Sequence, residues 1–279
     1  MNYTYTVTGH GIHDMDKKKR PDGETLPSPS SQNPIGNPAF PGKTSAGSGA
    51  TNWIGYMATE FNTTLTLAYV FARSGSVVDG AVIPPRLPER FSIAHQIGHF
   101  NDTIGHRPDY AAWTAKNTVA TIWFGINDVA LAYRRDGSMA KIPAATQSVF
   151  DLAEHLYEIG IRQFIFIEVP PPRSQTRKAN DVNQTVETHD YAIRLWNRHL
   201  KQNTVDFREG HRDADVKYVE LWDIFYEAFL DPKSFGAKNS TCIDPKGNEC
   251  LWAEGSHPGT RIHKLIGARV AETAWGSTS

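Results

Sequence analysis

Cysteine is nearly absent from this chain: Cys242 and Cys250 are the only two in 279 residues. A disulfide-dense scaffold is excluded, and a zinc module built on this pair would need two further ligands at suitable spacing, which are missing. Charge of one sign is lacking too. Lys plus Arg number 29 against 30 Asp plus Glu, and the resulting net charge of −1 offers no electrostatic grip on nucleic acid or on an anionic membrane. Long apolar runs are also missing, since stretches such as Phe164 to Pro172 fall far short of the roughly 20 residues that span a bilayer. The opening residues, MNYTYTVTGHG, contain none of the basic, apolar and small-residue segments of a secretory leader.

What is present describes a soluble chain with a sizeable core. Seven Trp, ten Tyr and thirteen Phe supply large apolar bodies, and at about 100–200 residues per domain the length suits one domain over 1–279. Asn-x-Ser/Thr sequons at Asn2, Asn62, Asn101, Asn183 and Asn239 fit a secreted glycoprotein. So does a local disulfide between Cys242 and Cys250, with two unpaired thiols as the alternative. Residues 17–51 open on a KKKR run and continue rich in Pro, Gly and Ser, which predicts a long loop ahead of a helix-like segment at 52–61. Short apolar runs at 64–72, 118–126, 163–169 and 217–222 read as buried strands. Helical spacing at 93–100, 143–160 and 185–202, and from Pro258 onward, lies between and after them. Continuous apolar strands separated by helices predict an α/β, doubly wound three-layer sandwich around a mostly parallel sheet.

Ligands in such sheets sit beyond the carboxyl ends of the strands. The residues found there are Arg73-Ser74-Gly75-Ser76, then Asn127-Asp128, then Pro170-Pro171-Pro172-Arg173, with Glu254-Gly-Ser-His257 ahead of the last helix. Neutral donors of this kind suit an oxyanion better than a phosphate. Glu254, three residues before His257, is placed to hold the imidazole in one tautomer. Taken singly, each has a plainer reading: a capping Glu beside a surface His, a turn Asn, a Gly chosen for positive φ. Trp53 and Trp252 are candidates to stack on sugar rings, with core packing as the alternative. His95 and His99 have the spacing of a helical zinc pair, but Gln96 stands where a metalloprotease needs its base, so no metal is expected. His10 and His13 form an equally unspecific pair.

ARSGSVVDG at 72–80, FGINDV at 124–129 and WAEGSHPG at 252–259 resemble the second, third and fifth blocks of the SGNH, or GDSL-type, hydrolases. The loop before the NW pair at 52–53 is most similar to that of secreted fungal acetylesterases of carbohydrate esterase family sixteen. The resemblance implies five parallel strands, with a nucleophilic serine at the end of the first. It implies oxyanion donors at Gly75 and Asn127, His257 as general base and Glu254 as its orienting acid. It implies no cofactor, and a monomer acting on small acyl esters such as acetylated hemicellulose oligosaccharides. The chain departs from the pattern twice. Glu254 replaces the usual Asp, and MNYTYTVTG aligns with the block FGDSYTxTG, so Thr4 falls on the nucleophile. A threonine without a free N-terminal amine is a poor nucleophile. The first strand is therefore expected to be largely missing or replaced by the short N-terminal segment, with a leader, a strand and the serine on an upstream segment. The alternative is a catalytically inactive relative that binds carbohydrate.

Overall fold

The strands form where apolar residues run without interruption. In a computed structural model, which describes residues 2–8, 29–35, 44–72, 74–86, 92–135, 137–172, 184–255 and 257–276, β2 (Thr66–Val70) and β3 (Thr118–Trp123) are buried at every position. Both of their faces are thus covered by helices, as a parallel sheet requires. β4 (Gln163–Ile167) is buried over its last four residues, while β5 (Asp215–Val219) alternates more and takes an edge.

The interior place next to β2 is not empty. β1 (Asn2–Thr8) fills it, giving five parallel strands in the order β2-β1-β3-β4-β5. Of the two expectations for the first strand, replacement by the N-terminal segment is the one found. The exposed backbone groups of β2 and β3 explain this, because each would be left unpaired in the core without a partner strand. Thr4 stands opposite Ala68 and Val119, and Thr8 opposite Trp123.

Alternate strand residues divide into two cores. Leu67, Tyr69, Ala120, Ile122, Phe164 and Phe166 face α2 (Ile93–Phe100), α3 (Ile126–Ala132), α4 (Ile142–Ile159) and α5 (Gln184–Gly210). Ala68, Val70, Val119, Trp123, Ile165 and Ile167 face α1 (Trp53–Thr59), α6 (Trp222–Leu230) and α7 (Thr260–Trp275). This is the three-layer arrangement expected from the pattern. Local chemistry sets several helix ends: Asn52 caps α1 by accepting the Gly55 N–H, and Gly160, at φ +116°, ends α4.

Several elements depart from the pattern read in the sequence. α3 begins at Ile126, the last residue of the stretch read as the second strand, α6 shares only Trp222 with the stretch read as the fourth, α5 runs eight residues past its expected end, and Pro258, read as the start of the last helix, belongs to a short strand ahead of α7. Of the loop at 17–51, residues 29–35 and 44–51 are described; the KKKR run, His10, His13, Arg73 and Arg173 lie outside the described residues.

Candidate active site

The loop after β2 is held from two sides. Gly75 adopts φ +76°. The next carbonyl, that of Ser76, accepts a hydrogen bond from Asn127 Nδ2 at 2.9 Å, and the Ser76 hydroxyl accepts one from Gln96 of α2 at 3.0 Å. Asp128 Oδ1 accepts the Val78 N–H at 3.0 Å. Two consecutive residues at the start of α3 therefore fasten the Gly75 loop, across about 50 residues of sequence. Asn127 spends one amide N–H on Ser76 and carries a second on the same nitrogen. Asp128 is completely buried, and burial drives its carboxyl up to about 7, against the pull of the Val78 N–H.

Asn127 reaches this position because Gly125, at φ +114°, precedes the first residue of α3 and is packed so closely on Trp196 of α5 that a Cβ would lie 2.2 Å from the indole. No residue but glycine meets both conditions. Sequence reasoning named Gly75 and Asn127 and passed over Ser76, Gln96 and Asp128 as functional supports. Asp128 adjoins Asn127 and Gln96 sits in the HQIGH segment, yet nothing local reveals what either bonds. His95 Nδ1 meets the Ser92 hydroxyl at 2.7 Å, while the His99 ring packs edge-on against Phe71, so the two rings of that segment serve different neighbours.

Glu254 and His257 sit on a two-stranded antiparallel ribbon, β6 (Trp252–Glu254) and β7 (His257–Pro258), turned at Gly255 and paired directly opposite one another. His257 Nδ1 is 3.6 Å from Glu254 Oε1, an ion-pair approach longer than a hydrogen bond. His257 is 34% exposed and Glu254 71% exposed. α1 leads into the amino end of β2, so its own N-terminus lies toward the carboxyl end of the sheet. The buried Trp53 N–H donates to His263 Nδ1 at 3.3 Å, which brings the start of α7 and the ribbon before it to that same end. Burial first, and the charge of His257 second, push the His263 imidazole down to about 3.

The expectation that Trp53 and Trp252 stack on sugars is corrected by their burial. Trp53 is 0% and Trp252 1% exposed. Trp53 packs edge-on against Trp123, and Trp252 lies against Phe225 and Phe229 with its indole N–H donated to the Ser240 carbonyl. A ring closed on both faces by protein has none left for a pyranose. Thr4 occupies the third position of β1, about 13 Å of strand short of its carboxyl end. The Cys242–Cys250 disulfide is present and closes the segment leading into β6. A cleft of about 370 Å³ between α4 and α5, with Asp151, Glu154 and Asp206 at its rim, shares no residue with this set.

The family described as GDSL-like Lipase/Acylhydrolase matches residues 23–270. The chain is 33% identical over 250 residues to an acetylesterase of Thermothelomyces thermophilus, covering 89% of this chain and 82% of that one. A GDSL esterase/lipase of Arabidopsis thaliana, LIP-4, is 24% identical over 135 residues, 44% of this chain and 36% of that one. Among solved structures, Axe2, an acetylxylan esterase from Geobacillus stearothermophilus, superimposes with a TM-score of 0.53 at 13% identity, covering 100% of this chain and 97% of that one. At that identity the likeness concerns the fold.

Proposed function

The chain belongs to the GDSL-like lipase/acylhydrolase family, and from that premise we propose that it is a carboxylic ester hydrolase for small acyl groups, acetyl above all, carried on hemicellulose oligosaccharides. In this reading the Gly75 N–H and the second Asn127 amide N–H receive the oxyanion. His257 removes the proton of a serine hydroxyl, a residue that β1 of this chain does not carry, and returns it to the leaving alcohol, and Glu254 orients the ring. Water, deprotonated by the same base, then attacks the acyl carbonyl; the bond to the serine oxygen breaks, that oxygen takes the proton back, and the carboxylic acid leaves. The reading uses two-step acyl transfer and calls on no metal or organic cofactor. Glu in place of Asp lengthens the orienting side chain by one methylene. The open 3.6 Å approach fits a resting site that tightens around substrate.

The observation that carries the reading is the double fastening of the Gly75 loop by Asn127 and Asp128, and the reading takes this as support for donors held in place there. Replacing Met1–Thr4 with a five-residue apolar strand ending in Phe-Gly-Asp-Ser carries a serine to the end of the interior strand. That chain is expected to release acetate from p-nitrophenyl acetate and from acetylated xylo-oligosaccharide, and His257→Ala is expected to slow it on the order of a thousandfold or more. Failure to release acetate from either ester overturns the hydrolase reading. The mid-strand position of Thr4 favours a second reading, carbohydrate binding without turnover. It predicts calorimetric binding of the acetylated oligosaccharide by both chains and turnover by neither.

The setting we propose is extracellular. The disulfide supports it, as does the exposed sequon at Asn239, whereas the amide nitrogens of Asn62 and Asn101 are committed to the Thr64 carbonyl at 3.0 Å and to His155 at 2.7 Å. Among the described residues no helix is long and apolar enough to cross a membrane.

A further inference from the structure

His263 is a buried polar side chain that the acyl-transfer scheme does not use. Its Nδ1 takes the N–H of Trp53, the first residue of α1, across 210 residues of sequence. The neighbouring cap is separate: the Asn52 side chain accepts the Gly55 N–H. Because Nδ1 is the acceptor, the neutral ring carries its proton on Nε2. A second tie lies three residues earlier: the Thr260 hydroxyl donates to the Thr51 carbonyl at 2.8 Å and meets the Tyr56 hydroxyl at 2.7 Å. The two helices are pressed together further along, where a Cβ on Gly267 would lie 2.7 Å from the Trp53 carbonyl.

Only Pro258 and Gly259 separate this anchored turn from His257, and neither is slack. The Gly259 N–H donates to the Leu251 carbonyl at 2.7 Å, and a Cβ on Gly259 would meet the carbonyls of Gly247 and Cys250 at 2.8 and 2.9 Å. The Thr260 N–H donates to Gly247 at 3.0 Å. Where the first turn of α7 stands therefore dictates where His257 stands on the ribbon.

We propose that His263, seconded by Thr260, is a positioning residue that sets His257 against Glu254 by anchoring the first turn of α7 to the first turn of α1. The proposal rests on the reading of His257 as the base held by Glu254. His263 differs from a space-filling core residue in one respect: what it contributes is an acceptor. His263→Asn retains an acceptor near the position of Nδ1, and His263→Leu removes it at similar volume.

The test is the tautomer of His257, read from ¹⁵N imidazole shifts at a pH where the rings are neutral. A ring aimed at a carboxylate keeps its proton on Nδ1. Wild type and His263→Asn are expected to show Nδ1–H at His257. Glu254→Ala and His263→Leu are expected to lose it in favour of Nε2–H, in chains whose circular dichroism remains that of the folded protein. Retention of Nδ1–H in folded His263→Leu overturns the proposal alone. Nε2–H at His257 already in wild type, unchanged by Glu254→Ala, overturns the proposal together with the reading beneath it. If His263→Leu does not fold, Thr260→Val removes the second tie instead. Loss of Nδ1–H there supports the anchor and its retention overturns it.

Discussion

Gly125 carries more of the site than its lack of a side chain indicates. At φ +114°, with Trp196 where a Cβ would go, it turns the chain from β3 into α3 and presents Asn127 to the Ser76 carbonyl. Gly125→Ala combines a left-handed backbone penalty with a clash against a buried indole, so a loss of about 3 kcal/mol or more is expected in urea unfolding. A loss below about 1 kcal/mol would show that Trp196 gives way and that the turn is not constrained as described. At this scale the sequence displayed Gly75, Asn127, Glu254 and His257 because each stands at a strand or helix boundary in a recognisable block. It could not display Gln96, Asp128 or His263, whose partners Ser76, Val78 and Trp53 lie 20, 50 and 210 residues away.

Between residue and molecule, the ribbon of β6 and β7 is the shortest element of the candidate site. Three residues paired with two make little backbone structure of their own. The Cys242–Cys250 disulfide, closing a loop over a separation of eight, restrains the segment that feeds it. Loop-closure entropy for a ring of this size corresponds to about 2.5 kcal/mol. Cys242→Ala with Cys250→Ala is expected to lower unfolding stability by roughly that amount, and to speed amide exchange over 243–254 before other segments. Unchanged exchange there would show that the ribbon is held by its contacts alone. The same scale explains why α6 went unread, with only its first residue, Trp222, inside the stretch taken as the fourth strand. Its N-terminus is satisfied by Glu168, just past β4, which accepts the N–H groups of Leu221 and Trp222 and the Tyr218 hydroxyl. A cap delivered from another element leaves no trace in the local pattern, unlike Asn52 ahead of α1.

For the molecule as a whole, three buried groups and the half-buried His189 shape the dependence of stability on pH. Burial holds Asp128 and Glu168 up to about 7 in the folded chain. Unfolded, they release their protons at roughly pH 4, so between these values the folded state binds more protons and stability falls as pH rises. His263 and His189 act in the opposite sense. Burial lowers them to about 3 and about 4, with the charges of His257 and Arg134 as respective second causes. Unfolded, they titrate at roughly 6.5, so the folded state binds fewer protons and stability rises with pH. From about pH 4.5 to 6.5 the two pairs offset, and their joint contribution is level. His263→Asn removes one histidine from the balance. Urea unfolding of that variant is expected to show stability falling with pH in this window, relative to wild type, on the order of 1 kcal/mol per pH unit. Parallel profiles would mean that His263 does not titrate on unfolding.

The amino-acid sequence alone determined the alternation of strands and helices, the parallel sheet it implies, the cysteine pair and the boundary residues from Gly75 to His257. These are properties of periodicity, short spacing and chain order, and they are written locally. Tertiary structure decided the rest. It placed Asn2–Thr8 inside the sheet because β2 and β3 need a partner. It closed Trp53 and Trp252 into the core because the strands left apolar faces to cover. It supplied Asp128, Glu168 and His263 with their partners across the fold, since a buried polar group takes its hydrogen bond from whatever packing brings near, and chain order does not state what that is.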